Sequence, residues 1–293
     1  MNSFIIHTLM MLEDMGMSVR YQDIRHVTIS EDGTSTTHLE FCCMTGSRVS
    51  IEQNQTMKFM MMFTVLDFYI DTKYPNLEGS SFSQKYKRIP HDNDNELMLR
   101  EIFRVAKVLR NSLVHSPSSF EISSGHLNVN YQFRDTEFFV KMSLDAQRDF
   151  YTSIVMYTKG DLGQGSYFLG VMRSVYKSAF SGIVCFSDEF GRQLSHPSEG
   201  LEIKPYVREV VMNPDYDVEG GQVKIKFSDR SSPEWQGMDF YIEHNGNDIL
   251  VPKEALRSDL TISELDLVNN WRHDSAFPPL RKTSNNALQQ TSR

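Results

Sequence analysis

Asp94-Asn95-Glu96-Leu97-Met98-Leu99-Arg100-Glu101-Ile102-Phe103-Arg104-Val105-Ala106-Lys107-Val108-Leu109-Arg110-Asn111-Ser112-Leu113-Val114-His115-Ser116-Pro117 is the stretch from which the rest of the chain can be read. Leu99, Ile102, Phe103, Ala106, Leu109 and Leu113 recur at i, i+3, i+4 and i+7, which predicts an amphipathic helix over about 94–114, stopped by Pro117. Opposite much of that apolar set, Arg100, Arg104, Lys107, Asn111 and His115 follow one another at helical steps and make one polar, largely basic stripe. Two readings of the stripe stay open: it lines a groove for an RNA backbone, or it is a solvated helix face.

Upstream, a second helix is predicted from about 54 to 74, capped by Asn54 or Thr56 and closed by Pro75. Its Met57, Met60, Met61 and Met62, with Phe59 and Phe63, read as helix–helix packing. Asp67 and Asp71 lie one turn apart on it, either orienting Arg110 or His115 or serving as surface charges. Residues 76–93 form a polar connector. Downstream, a hairpin is predicted over 120–133 with a Ser-Ser-Gly turn at 123–125. Helices over 136–157 and 166–180 follow, with Gly160, Gly163 and Gly165 as a hinge between them.

The flanks read differently. Residues 4–15 have helical spacing, and 18–52 read as a short antiparallel meander with strands near 27–29, 37–41 and 48–51. Strands are predicted over 201–211, 222–227 and 238–244, with Gly220-Gly221 and Asn245-Gly246 as turns. Residues 269–293 are polar and read as a disordered tail, whose last nine residues look like read-through of a recombination site in a mobile gene cassette. The fold class is α+β: an N-terminal helix and β-meander (1–53), a helical core (54–197), a β-rich C-terminal segment (198–268) and the tail (269–293).

Composition narrows the function. The 293 residues are 40% hydrophobic and 23% charged, an ordinary globular balance. The net charge of −8 excludes a chain that coats nucleic acid by bulk charge, as histones do, but leaves room for a local basic groove. Cys42, Cys43 and Cys185 lack metal-ligand spacing and read as reduced thiols. Residues 1–17 lack a positive n-region and meet Glu13 and Asp14, so they make a poor signal peptide. A cytoplasmic protein with no membrane segment is expected.

The segment that carries chemistry is Arg110-Asn111-Ser112-Leu113-Val114-His115. Arg110, Asn111 and His115, at the end of one long helix preceded by another, resemble the signature of the HEPN (higher eukaryotes and prokaryotes nucleotide-binding) superfamily: Arg, a polar residue, then His after four to six positions. The resemblance implies a HEPN-like helical core and a metal-independent endoribonuclease acting as a homodimer on RNA. It also implies a toxin or phage-defence role, with an antitoxin or regulatory protein as partner. A non-catalytic HEPN-like module that binds a protein, nucleotide or RNA is the alternative. In the catalytic reading Arg110 binds the scissile phosphate, Asn111 positions phosphate or imidazole, and His115 is the general base or acid. Arg100, Arg104 and Lys107 would then contact RNA, with Asp67 and Asp71 as supporting carboxylates.

Helix geometry adds a constraint. An ideal helix turns ~500° between Arg110 and His115, leaving them about 140° apart around the axis. A site using both must bend the helix end or borrow groups from a second copy. Other chemistry lacks support. His196, His244 and His273 have no partners at metal-ligand spacing. Gly160 to Gly165 is no Walker loop. Asp188-Glu189 beside Arg192 reads as a salt-bridged turn. No metal and no cofactor are expected.

Overall fold

The computed structural model describes Leu9, Leu12 and residues 23–29, 35–41, 55–159, 165–204, 207–227 and 237–273, with backbone alone for 23–29, 35–41, 55–57 and 117. The protein is α+β. Its described residues fall into two units, each treated by itself: 55–159 and 168–204 with Leu9 and Leu12, and 23–29, 35–41, 165–167, 207–227 and 237–273. Strands β1 (Asp23–Ile29) and β2 (Ser35–Phe41) form an antiparallel hairpin in the second unit. The strand predicted near 48–51, the cap at Asn54 or Thr56, Cys42, Cys43 and the hinge glycines Gly160 and Gly163 lie outside the described residues or side chains.

In the first unit, helix α1 (Gln55–Lys73) ends where Tyr74 leaves the helical region ahead of Pro75 (φ −128°, ψ 76°). The proline ring disfavours helical backbone at the residue before it. Helix α2 (Phe82–Arg88) opens with a capping box between Ser81 and Gln84. Helix α3 (Asp94–His115) is capped by Asn93, whose side chain accepts the Glu96 N–H, and carries Asp94 and Glu96 at its positive end. The predicted apolar face of α3 is buried in full. Phe63 of α1 stacks on Phe103 at 6.0 Å and meets Phe82 edge-on at 5.0 Å, so this phenylalanine does serve as helix–helix packing, and Phe59 and Met62 are fully buried.

Strands β3 (Phe120–Ser123), β4 (His126–Phe133) and β5 (Thr136–Ser143) run as a meander into helices α4 (Leu144–Lys159) and α5 (Ser166–Ser181), and β6 (Ile183–Ser187) returns beside β5. The β3–β4 turn puts Ser124 and Gly125 at φ 50° and 73°, as the Ser-Ser-Gly signal predicts. The helix predicted over 136–157 is corrected: its first eight residues are β5. Phe138, Val140 and Met142 point into the core at every second position, and Tyr131 stacks on Phe138 at 4.8 Å. The helix starts at Leu144, where the Ser143 hydroxyl accepts the Ala146 N–H. Region 54–197 therefore carries a four-stranded antiparallel sheet as well as its helices.

The second unit unites segments that read as separate. Strands β7 (Arg208–Met212), β8 (Tyr216–Glu219), β9 (Gln222–Ile225), β10 (Gly237–His244), β11 (Asn247–Pro252) and β12 (Thr261–Ser263) precede helix α6 (Glu264–Asn270). One sheet has the order β11-β10-β7-β1-β2, with β7 parallel to both β1 and β10; the other is β12-β9-β8. Gly220-Gly221 and Asn245-Gly246 make the predicted tight turns, all four at positive φ. Arg208 is fully buried, forked onto Asp239 (Nη2 2.7 Å, Nε 3.0 Å) and bonded to Glu254 at 2.7 and 2.8 Å. The predicted tail starts later than 269: Trp271 is buried and Arg272 bridges to Ile249, while 274–293 lie outside the described residues. No helix among the described residues is long and apolar enough to cross a membrane.

Candidate functional site

Helix α3 continues without a break through His115, and Ser116 closes it with an N–H to the Ser112 carbonyl at 2.8 Å. The buried Ser112 hydroxyl bonds Ser119 Oγ at 2.9 Å, and Ser119 bonds the Ser116 carbonyl at 2.6 Å. This tie fixes where the helix end points. It presents His115 to solvent beside Val114, an exposed apolar side chain, while Arg110 and Asn111 are half-buried one turn earlier.

Arg110 Nη1 donates to Asn111 Oδ1 at 3.2 Å, and its guanidinium carbon sits 4.9 Å from the Phe82 ring centroid. Stacking of this kind orients a planar cation without neutralising it. No hydrogen bond joins Arg110 to His115 among the described residues. Since the helix end does not unwind, the two side chains stay on different sides of the axis.

Asp67 and Asp71 do not orient either residue. They hold Lys85, a buried lysine of α2, at 2.7 and 2.8 Å. Burial raises the Asp67 carboxyl, against the pull of Lys85 and a weaker one from Arg110. The link of Asp67 to the motif is thus one of charge at a distance.

The basic stripe is neither a groove nor a solvated face along most of its length. Arg104 is buried, with Nη2 2.7 Å and Nε 3.0 Å from the two oxygens of Asp188. Its Nη1 reaches Glu101 at 3.3 Å and the Gln193 carbonyl at 2.8 Å, and Nη2 reaches the Gly191 carbonyl at 3.1 Å. Burial works against this charge, and the hydrogen bonds and charges of Asp188 and Glu101 outweigh it, holding the guanidinium above its ordinary pKa. Lys107 is buried on Asp188 and Glu189. Arg100 stacks at 4.4 Å on Tyr86 and donates to its carbonyl. These cations hold the chain's own residues.

Asp188, Glu189 and the carbonyls of Gly191 and Gln193 belong to the segment that follows β6 and lies against α3. Ser195 N–H donates to Glu101, and Asp94 accepts from Ser198 Oγ at 2.7 Å and Arg173 Nη2 at 2.6 Å. Burial pushes the Asp94 carboxyl up, and the Ser198 and Arg173 hydrogen bonds overcome it, leaving it below the usual carboxylate range. The salt-bridged turn read at Asp188-Glu189 is corrected in its partners: these carboxylates serve Arg104 and Lys107, and Arg192 reaches Glu137. Sequence gave no signal for this, because the pairs are more than eighty positions apart.

Histidines elsewhere have other work. His196 packs edge-on to Tyr176, and His244 is buried against Glu264 at 2.8 Å. Among the described residues no group of three His, Cys, Asp or Glu side chains could hold a metal ion. No family model matches the chain, and neither a curated protein nor a solved structure matches it.

Proposed function

We propose that the protein is a HEPN-type endoribonuclease that cuts RNA without a metal, using Arg110, Asn111 and His115 from two copies related by a two-fold axis. One observation carries the reading. Along α3 the cations Arg104 and Lys107 are consumed by internal carboxylates, whereas among the described residues the polar groups of the motif at its C-terminal end make no ion pair and reach solvent. Exposed Val114 beside His115 offers an apolar contact for the partner copy.

The chemistry follows from the residue types. A histidine base takes the proton of a ribose 2′-hydroxyl, whose oxygen attacks the adjacent phosphorus. Charge grows on the non-bridging oxygens, where the fork of Arg110 stabilises it. The P–O5′ bond breaks as the imidazolium gives up its proton to the departing 5′-oxygen, leaving a 2′,3′-cyclic phosphate and a 5′-hydroxyl. A cytoplasmic toxin or antiphage effector silenced by a partner protein fits this activity.

A second reading, a non-catalytic module that binds a protein or nucleotide, is favoured by Arg110 resting on Phe82 and Asn111. An assay of RNA cleavage in chelator, wild type against His115→Ala, separates the two. Cleavage lost only in the variant supports the enzyme; an inactive wild type with intact RNA binding supports the module.

A further inference from the structure

Strand β3 forms one edge of its sheet, and among the described residues no strand pairs with its outer side. The hairpin decides which groups that side shows. Ser124 and Gly125, both at positive φ, make a two-residue turn, so Ser123 and His126 exchange both backbone hydrogen bonds. The alternation of an antiparallel ladder then leaves Ile122 opposite Leu127 without such bonds. The N–H and C=O of Ile122 therefore point away from β4, out of the sheet edge. Its side chain, 39% exposed, shares a face with buried Leu127. The opposite edge, β6, is blunted by a register shift that skips Val184, whereas β3 runs without a bulge.

We propose that two copies of the chain join at this edge, β3 against the partner's β3 in antiparallel order, with Ile122 facing the partner's Ile122 on a two-fold axis. The strand itself selects this register. A two-fold pairing sets one residue opposite its own copy. At Ile122 the outward N–H and C=O of each copy bond those of the other, and two apolar side chains meet. Glu121 then lies opposite the partner's Ser123. Centring on Glu121 instead would call on groups already bonded to Asn128 of β4 and would oppose two like charges.

This pairing rests on the two-copy reading of the motif and says how the copies meet. The Ser112–Ser119 bond sets the start of β3 against the end of α3. The axis stands normal to the sheet, so both α3 helices, which pack on β4 and β5, stay on one face of the joined sheet. Both motifs, each with its exposed Val114, then lie at the same junction.

The test is sedimentation velocity of the full chain over about 1–100 µM, which should show a monomer–dimer equilibrium. Ile122→Pro removes the N–H at the axis and no group that β4 uses, and edge strands tolerate proline. It should weaken the dimer at least about tenfold with an unchanged far-UV spectrum. Ser123→Lys places a lysine opposite the partner's Glu121 twice over, and should tighten the dimer severalfold at low salt and not at high salt. If Ile122→Pro unfolds the chain, Ser123→Lys decides alone. A chain that stays monomeric, a dimer that a folded Ile122→Pro leaves intact, or one that Ser123→Lys does not tighten overturns the pairing. Cleavage of RNA by a dimer that Ile122→Pro does not split rejects the β3 contact and keeps the nuclease; a β3 dimer that cuts no RNA does the reverse.

Discussion

Replacing Arg104 by Met tests whether the basic stripe is internal structure. Met keeps much of the stem's volume and removes the charge. The change leaves Asp188, with no exposed side-chain surface, only the longer contact to Lys107, leaves Glu101, with 1%, without a cation, and strips the carbonyls of Gly191 and Gln193 of a donor. Breaking a buried ion pair by removing one partner costs about 3–5 kcal/mol. A solvated arginine, or one lining an open groove, would cost no more than about 0.5 kcal/mol. In urea unfolding followed by far-UV circular dichroism, with m about 2 kcal/mol per molar, the midpoint should fall by about 1.5–2.5 M. Removing both charges in Arg104→Met/Asp188→Leu should restore at least half of that loss. A midpoint within about 0.3 M of wild type would refute the assignment of Arg104 to the interior.

Leu109→Ala, at a fully buried position, should cost about 2–5 kcal/mol, whereas His115→Ala at the exposed helix end should cost under about 0.5 kcal/mol and abolish cleavage; paired melts and cleavage assays check both. RNA cleavage should persist in EDTA, leave cyclic-phosphate ends and spare a substrate with one 2′-deoxy sugar at the cut site. Arg110→Lys should slow it. Arg208→Met should destabilise the second unit by about 3–5 kcal/mol, because Asp239 is left buried without its fork; the fluorescence transition of Trp235 and Trp271, both in that unit's stretch of sequence, reads this.

Helix α3 was legible because its apolar residues keep a 3.6 period and Pro117 follows it, and α1 because Pro75 closes it. Tight turns were legible at Ser124-Gly125, Gly220-Gly221 and Asn245-Gly246, where local chemistry alone sets the backbone. Strand β5 was missed because no Gly or Pro separates it from α4, and Ser143 is the sole boundary mark. The burial of Arg104 and Lys107 was illegible for a different reason. Periodicity reports which residues share a face, not whether a segment eighty positions away covers it. The motif itself was readable as residue types at a spacing, and its exposure depends on the Ser112–Ser119 tie, which leaves no pattern in sequence.

Strand β7 lies in the middle of its sheet only because β1, from near the start of the chain, pairs with one of its edges. A shortened protein beginning at residue 54 would keep every residue of the Arg110–His115 motif yet bare that edge along Arg208–Val211. Unpaired edges of this kind recruit strands from other molecules. Such a fragment should associate through β7, and an assembly seen with it would say nothing about a pairing of copies through the motif. Experiments on self-association therefore need the N-terminal hairpin in place.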